Sequence, residues 1–248
     1  MPQNLAPPRY VFTCSDLGSA TVHVRRFKLV EALSTPYRLT IELITPDLET
    51  DVAGLLGASC ELRIDRVGTA RSVAGVVERA RQLNVVANRL RFSLEIVPAF
   101  ALLEQVVNTR FFQNLDAAQI IEQVLRPGLA ASGRSLRMEL SATVPPREYC
   151  VQYRESDYAF ASRLMQEEGI TYRFEHSTGG PEFLVLMSET RQCPDLDRAD
   201  GTSLTFIDRA TASATVESFD TFIPIYALQT TSIVQADFDW MAPPSAYL

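Results

Sequence analysis

Residues Tyr37-Arg38-Leu39-Thr40-Ile41-Glu42-Leu43 alternate without a break, apolar at odd positions and polar at even ones. Successive side chains of a β-strand point to opposite faces, so this run predicts a strand with one face on a core and one in water. Cys60-Glu61-Leu62-Arg63-Ile64-Asp65 repeats the pattern. So does Leu90-Arg91-Phe92-Ser93-Leu94-Glu95-Ile96, which Pro98 terminates. Thr21 to Phe27 and Ser72 to Glu78 read as further strands, with Gly68 and Asn88 in turns. Several short alternating strands with turn signals between them predict an antiparallel barrel or sandwich.

The pattern changes period in the middle of the chain. Asp116-Ala117-Ala118-Gln119 has the form of a capping box, and Ile120, Ile121, Val124 and Leu125 follow at helical spacing. Pro127-Gly128 is expected to stop that helix. A second helix is expected from Ser156 to Gly169, with Phe160, Ala161, Leu164 and Met165 on its apolar face. Glu155, Asp157, Arg163, Glu167 and Glu168 fall mostly off that face. Tyr149 to Tyr153 leads into this helix as a strand, and Ile170 to Glu175 leads out. Ser177-Thr178-Gly179-Gly180-Pro181 then turns the chain back to Phe183–Met187, giving a β-α-β-β segment. A polar linker from Ser188 to Ser203 follows, and β character returns at Leu204 to Ile207 and Ala227 to Phe238. The fold class expected is α+β, mostly β.

Composition narrows the functions available. Of the 248 residues 46% are hydrophobic, enough to build a core. The net charge of −7 opposes a phosphate backbone, and the only basic run is Arg25-Arg26 with Lys28 nearby. Nucleic acid is therefore not an expected partner. The first residues carry neither a basic nor an apolar signal region, and no run of about 18 apolar residues occurs, so neither signal-directed secretion nor membrane insertion is expected. Cys14, Cys60, Cys150 and Cys193 are widely spaced, with no C-x-x-C pair. They read as single buried or half-buried thiols and not as a zinc site or a disulfide framework.

Catalytic constellations are equally sparse. His23 and His176 are the only histidines. His23 lies between Val22 and Val24 and so points to the wet face of its strand, while His176 ends a strand. Both read as structural or surface residues. Cys150 and His176 share the β-α-β-β segment, but nothing supplies the orienting third group or oxyanion hole that a thiol nucleophile needs. The acids Glu155, Asp157, Glu167 and Glu168 cluster on one helix, where caps and a solvated face explain them. Gly54-Leu55-Leu56-Gly57 lacks phosphate-loop spacing, and no G-x-S-x-G occurs. No catalytic residue, cofactor site or metal site is expected, and the chain is not expected to be an enzyme.

One block is more specific than its secondary structure. Tyr149-Cys150-Val151-Gln152-Tyr153-Arg154-Glu155-Ser156-Asp157, continuing through Phe160, Arg163-Leu164, Glu167-Glu168-Gly169-Ile170 and Tyr172, resembles a motif of the VgrG family. That motif reads roughly Y-C-x-Q-Y-x-E-S-D-x-x-F-x-x-R-L-x-x-E-E-G-I-x-Y. Weaker matches follow the family order: Phe27 with Glu31-Ala32-Leu33-Ser34 and Tyr37, Leu55-Leu56-Gly57, Gly75-Val76-Val77, Val97-Pro98 with Leu102-Leu103, Arg110-Phe111-Phe112-Gln113, and Asp237-Phe238-Asp239 with Pro243. Met165, where leucine is commoner, and Phe238, for tyrosine, depart from the pattern.

The resemblance implies a structural part of the type VI secretion spike. It implies a β-barrel of the phage baseplate hub type over residues 8–100, a small α/β domain over 101–195, and the start of a second barrel over 196–248. It implies a homotrimer in the full-length protein, docking on the Hcp tube, and contact with baseplate proteins and effectors. Assembly is expected in the bacterial cytoplasm, followed by export through the type VI system. The family's needle lies beyond these residues, so the chain is expected to be a front part that does not build the spike alone. A hub or tail-spike protein of a contractile phage or phage-like injection device is the other reading of the same resemblance. The motif residues Tyr149, Gln152, Tyr153, Glu155, Ser156, Asp157, Phe160, Arg163, Leu164, Glu167, Glu168, Gly169 and Tyr172 are expected to specify a fold and not a reaction.

Overall fold

The structure is a computed structural model that describes residues 8–18, 21–66, 69–141 and 145–188, and short pieces between 205 and 247. The chain divides into two units, Met1–Gly201 and Thr202–Leu248. In the second, Thr205–Phe206 pairs parallel with Ser218–Phe219, and Asp237–Phe238 pairs antiparallel with Ala246–Tyr247. Gly68, the linker residues 189–203 and most of the late β-segments fall outside the described residues.

The first unit is mostly β. Six strands form one antiparallel sheet: β1 (Arg9–Cys14), β2 (His23–Ala32), β3 (Thr35–Thr45), β4 (Ser59–Arg66), β5 (Thr69–Val86) and β6 (Arg89–Val97), in the order β1-β4-β5-β6-β3-β2. The predicted alternation sets its inner face, where Leu39, Ile41, Leu43, Leu62, Phe92, Leu94 and Ile96 are all fully buried. At the β5–β6 hairpin Ala87 (φ 49°) and Asn88 (φ 58°) both take left-handed backbone, the two-residue turn whose twist suits a hairpin. β5 is far longer than the Ser72–Glu78 run implied. It pairs with β4 along Thr69–Val76 and with β6 along Val76–Val86, shifting register twice. The sheet curls into a half-barrel, and its two end strands meet where the Tyr10 ring packs edge-on against Phe27, 5.4 Å between centroids.

One position of the alternation behaves differently. Glu42 was expected in water but is only 5% exposed. Arg26 reaches it at 2.7 Å and Arg91 at 3.0 Å. The hydrogen bond from Arg91 holds its carboxyl below the usual range, against the opposing effect of burial.

Against this sheet sit α1 (Ala99–Leu102), β7 (Val107–Phe112), α2 (Ala117–Ala131), β8 (Ser135–Glu139), β9 (Cys150–Ser156), α3 (Asp157–Glu167), β10 (Thr171–Glu175) and β11 (Phe183–Met187). The capping box at Asp116 forms as expected, with Gln119 N–H donating to Asp116 Oδ1 at 2.8 Å and the Asp116 N–H donating to Gln119 Oε1 at 3.1 Å. Pro127-Gly128 does not end α2. The helix runs on to Ala131, because stopping at Pro127 would leave Leu129, 2% exposed, without its buried place. A mid-helix proline costs about 3 kcal/mol, and burying one leucine returns about 1.5–3. Gly128 also admits Leu103, whose Cδ2 would stand 2.5 Å from any Cβ there. The stop comes at Gly133 (φ 68°), where Arg134 N–H bonds to Leu129 O at 2.9 Å.

The two strands flanking α3 do not share a sheet, contrary to the β-α-β-β reading. β9 pairs antiparallel with β7, while β10, β11 and β8 make a separate three-stranded sheet with β8 parallel to β11. Periodicity marks a strand but not its partner, and β9 finds its partner about forty residues upstream.

The two layers meet along β5, where it has left β6. The Ala74 N–H donates to His176 Nδ1 at 3.1 Å, and the Tyr37 hydroxyl donates to the Ala74 carbonyl. The Tyr37 ring stands edge-on to both Phe174 and His176, 5.1 Å from each. The Ser34 N–H donates to the Tyr172 carbonyl at 2.9 Å. Because Nδ1 accepts, the His176 proton is on Nε2, which is shut away from water without a partner among the described residues. Burial lowers the His176 pKa from its ordinary 6.5, with Glu182 and Glu31 opposing and Arg71 assisting. Its folded pKa being depressed, the stability it contributes is fully present above pH 6.5 and is lost as pH falls toward the native value. Urea unfolding between pH 7.5 and 5 should therefore show stability declining below pH 6.5, by at most about 1.4 kcal/mol per pH unit for one proton. His176→Gln should flatten that portion of the profile.

Candidate functional site: the strand–helix motif

The motif occupies β9, α3 and the start of β10. Ser156 is the N-cap of α3, its Oγ accepting from the Ala159 N–H at 3.1 Å. Gly169 (φ 64°) closes the helix, with Ile170 N–H on Met165 O at 2.8 Å and Gly169 N–H on Gln166 O at 3.3 Å, a Schellman arrangement. Phe160 and Leu164 are fully buried, and Phe160 stacks on Phe112 of β7 at 5.7 Å. Tyr172 is buried with its ring edge-on to Phe100, and burial, then Tyr158, pushes its hydroxyl up.

A polar joint ties α3 to the β7–β9 ribbon. Asp157 is 3% exposed, although its spacing placed it on the solvated side of the helix. Its carboxylate accepts from Gln152 Nε2 at 2.8 Å, Asn108 Nδ2 at 3.0 Å and Arg110 Nη2 at 3.2 Å, and its N–H donates to Val106 O at 2.9 Å. Gln152 is itself buried and also donates to Glu155 O at 3.0 Å. The expected off-face position fails because Asp157 is the first residue of α3, where the chain leaves β9 and the ribbon covers that side.

The remaining charges are arranged outside. Arg163 donates to both oxygens of Glu155, at 3.1 and 2.8 Å, and to Glu167 at 3.2 Å, and these bonds raise its pKa, Glu155 contributing most. Arg147 reaches Glu167 at 2.7 Å and also Glu168. Such half-exposed pairs add little stability. The outer face of the ribbon is apolar instead: Phe111 is 62% exposed, Tyr149 56% and Tyr153 64%, with Val107 beside them. Phe111 and Tyr149 stack at 6.0 Å, and Arg154, bulged out at φ 50°, lies over Tyr153.

The motif residues thus fall into an inward set that builds the joint and the core contacts, an outer charge network of Glu155, Arg163, Glu167 and Glu168, and an outward aromatic pair, Tyr149 and Tyr153. Among the described residues the geometry brings together no nucleophile, base and oxyanion donor. Cys150 is buried beside the helices, whereas His176 Nδ1 is bound at the seam on Ala74. Among the described residues no group of three His, Cys, Asp or Glu is placed to hold a metal, and no helix is long and apolar enough to cross a membrane.

Residues 30–246 match the family model described as the phage tail baseplate hub. The chain belongs to that family. Its relatives include two type VI secretion system spike proteins of Pseudomonas aeruginosa. VgrG4b is 32% identical over 223 residues, which is 90% of this chain and 26% of that protein. VgrG1b is 34% identical over 169 residues, 68% of this chain and 22% of that protein. This hub chain therefore spans about a quarter of the length of the relatives it matches. Among solved structures it is similar to an E. coli component of the type VI secretion system, itself described as structurally similar to T4 bacteriophage tail proteins. The TM-score is 0.68 at 25% identity, covering 81% of this chain and 53% of that one. A chain of the Francisella PdpA–VgrG complex shares the fold, with TM-score 0.57 at 9% identity, covering 75% and 32%.

Sequence reading of the hub motif missed half of its polar joint. Asn108 and Arg110 lie 49 and 47 residues before Asp157, and only pairing of β7 with β9 brings them to it. Arg110 was marked only as part of the weak family match Arg110-Phe111-Phe112-Gln113, and Asn108 by nothing local. The buried pair of Arg134 and Glu182, at 2.9 Å, had none. Phe160→Ala in this hub chain should cost about 3–5 kcal/mol in urea unfolding, the range for emptying a buried aromatic site. Asp157→Ala should cost about 3 kcal/mol by the same measurement. That is the low end for breaking a buried ion pair, because Arg110 keeps 36% of its side chain in water.

Proposed function

We propose that this chain forms the N-terminal hub region of a type VI secretion spike and has no catalytic role. In this reading it assembles as a homotrimer in a longer protein, docks on the Hcp tube, meets baseplate proteins and helps deliver effectors. It is assembled in the bacterial cytoplasm and then exported by the type VI system. The half-barrel closes into the first hub barrel, within residues 8–100. Residues 101–195 act as a small α/β domain, and 196–248 begin a second barrel.

The observation that carries this reading is the exposed row of Phe111, Tyr149 and Tyr153 on the outer face of β7 and β9. A contiguous exposed apolar patch is a mark of an interaction surface. The names of the P. aeruginosa relatives support spike assembly as the kind of contact. The family model's own description supports the second reading, the hub of a contractile phage or phage-like device.

The test grafts this chain in place of the matching region of a P. aeruginosa VgrG and measures Hcp released into the culture medium. The chimera should restore release, and Phe111→Asp with Tyr153→Asp should cut it about tenfold or more while leaving the thermal unfolding midpoint in place. A folded chimera that binds a phage tail-tube protein and releases no Hcp would transfer the function to the phage reading.

A further inference from the structure

Cys14 ends β1 and Cys60 is the second residue of β4, and the two are directly opposite in the antiparallel register. Both side chains lie on the inner side of the sheet: Cys60 is in the core with Phe12 and Leu62, and Cys14 is half-buried against it. Their backbone relation follows from the neighbouring ladder. The Ala74 N–H and C=O are bound by His176 and Tyr37, on the side of β5 away from β4. The Val77 N–H and C=O are bound by Ala58 O and Gly57 N–H, on the β4 side. Gly75 has the parity of Val77 and so faces Cys60 as a hydrogen-bonded pair. Cys60 then turns its own backbone toward β5, leaving Cys14 and Cys60 a non-hydrogen-bonded pair across β1 and β4.

That class of pair has its Cα atoms about 4.5 Å apart and the closer side chains of the two classes. Disulfides occur at Cα separations of about 4.4–6.8 Å. A solvent-open cleft of about 530 Å³ reaches both residues, lined also by Ser59, Arg134 and Gly180. The two thiols are free in this structure.

We propose that Cys14 and Cys60 are a modification site, a thiol pair that closes to a cross-strand disulfide by exchange with a small-molecule disulfide entering this cleft. Cys14, the more accessible sulfur, attacks one sulfur of the small disulfide as its thiolate and expels one small thiolate. Cys60 then attacks the Cys14 sulfur of the mixed disulfide and expels the second. Two protein thiols are oxidised, one small disulfide is reduced to two thiols, and the two protons pass to the departing sulfurs. Burial raises both protein thiols, so the exchange is slow near neutral pH and faster in mild alkali. The bond pins β1, the end strand held in the ladder by β4 alone, to its neighbour. Its formation does not depend on the spike reading.

The chain is incubated with oxidised glutathione at pH 8, denatured, alkylated, and examined by intact mass and peptide mapping. The expected wild-type product has two fewer alkylated cysteines and a peptide joining Cys14 to Cys60. Cys60→Ser should instead hold one glutathione on Cys14, and Cys14→Ser should give no linked peptide. Circular dichroism on both variants shows whether they fold, and the wild-type map decides the matter if either does not. Four alkylatable thiols in the treated wild type, or a linked peptide through Cys150 or Cys193 in place of Cys14–Cys60, would overturn the proposal.

Discussion

Arg134 and Glu182 form an ion pair almost wholly cut off from water, and five separate segments of the fold meet at it. The guanidinium donates to Glu182 at 2.9 Å, to Ser59 Oγ at 2.7 Å, to Ser132 O at 2.6 Å and to Gly75 O at 3.0 Å. The other Glu182 oxygen accepts the Ala99 N–H at the start of α1, at 2.9 Å. A lone charge in this position would cost several kcal/mol, so neither residue is tolerable unless β4, β5, the start of α1, the end of α2 and the loop before β11 are all in place. Such a pair need not add net stability. What it sets is the mutual position of the curled sheet and the helical layer, because any slip along their contact strands both charges.

The same seam solves a second problem. β5 continues beyond the reach of β6, so its backbone groups near Ala74 would form a bare edge open to another chain. His176 and Tyr37 take the Ala74 N–H and C=O. Gly75 is required there: a Cβ would lie 2.7 Å from Ile96 Cγ2 and 2.9 Å from Tyr37 Oη. An edge closed by side chains differs from one closed by a strand. It holds the two layers together with groups that can each be replaced singly.

What the sequence makes legible is whatever depends on near neighbours. The inner face of β3 and β6 follows from alternation, the Asp116 capping box and the Ser156 and Gly169 caps follow from local spacing, and the motif points to the family. What it hides depends on partners far along the chain. Glu42 is buried by arginines on β2 and β6 that no period of two can foresee. Asp157 is buried because β7 lies over it. Pro127 is passed over because Leu129 has a pocket to fill, and a local stop signal worth about 3 kcal/mol loses to tertiary burial. The separation of β9 from β10 into different sheets belongs to this class as well.

The motif itself divides along the same line. Gln152, Ser156, Asp157, Phe160, Leu164, Gly169 and Tyr172 are each accounted for by a cap, a core contact or a bond within the polar joint. Tyr149 and Tyr153 are not: their rings lie mostly in water and their neighbours are Phe111 and Arg154, themselves exposed. An aromatic ring in water forgoes the transfer free energy that burial would give, on the order of 1.5–3 kcal/mol for a large side chain. The inward residues make the ribbon rigid from behind, through Asp157 and the stack of Phe112 on Phe160. A rigid ribbon presents its outer rings in a fixed pattern, which lowers the entropic cost of docking them. The buried acid and the exposed tyrosines are thus parts of one arrangement, in which the joint behind the ribbon fixes the pattern of the rings in front of it.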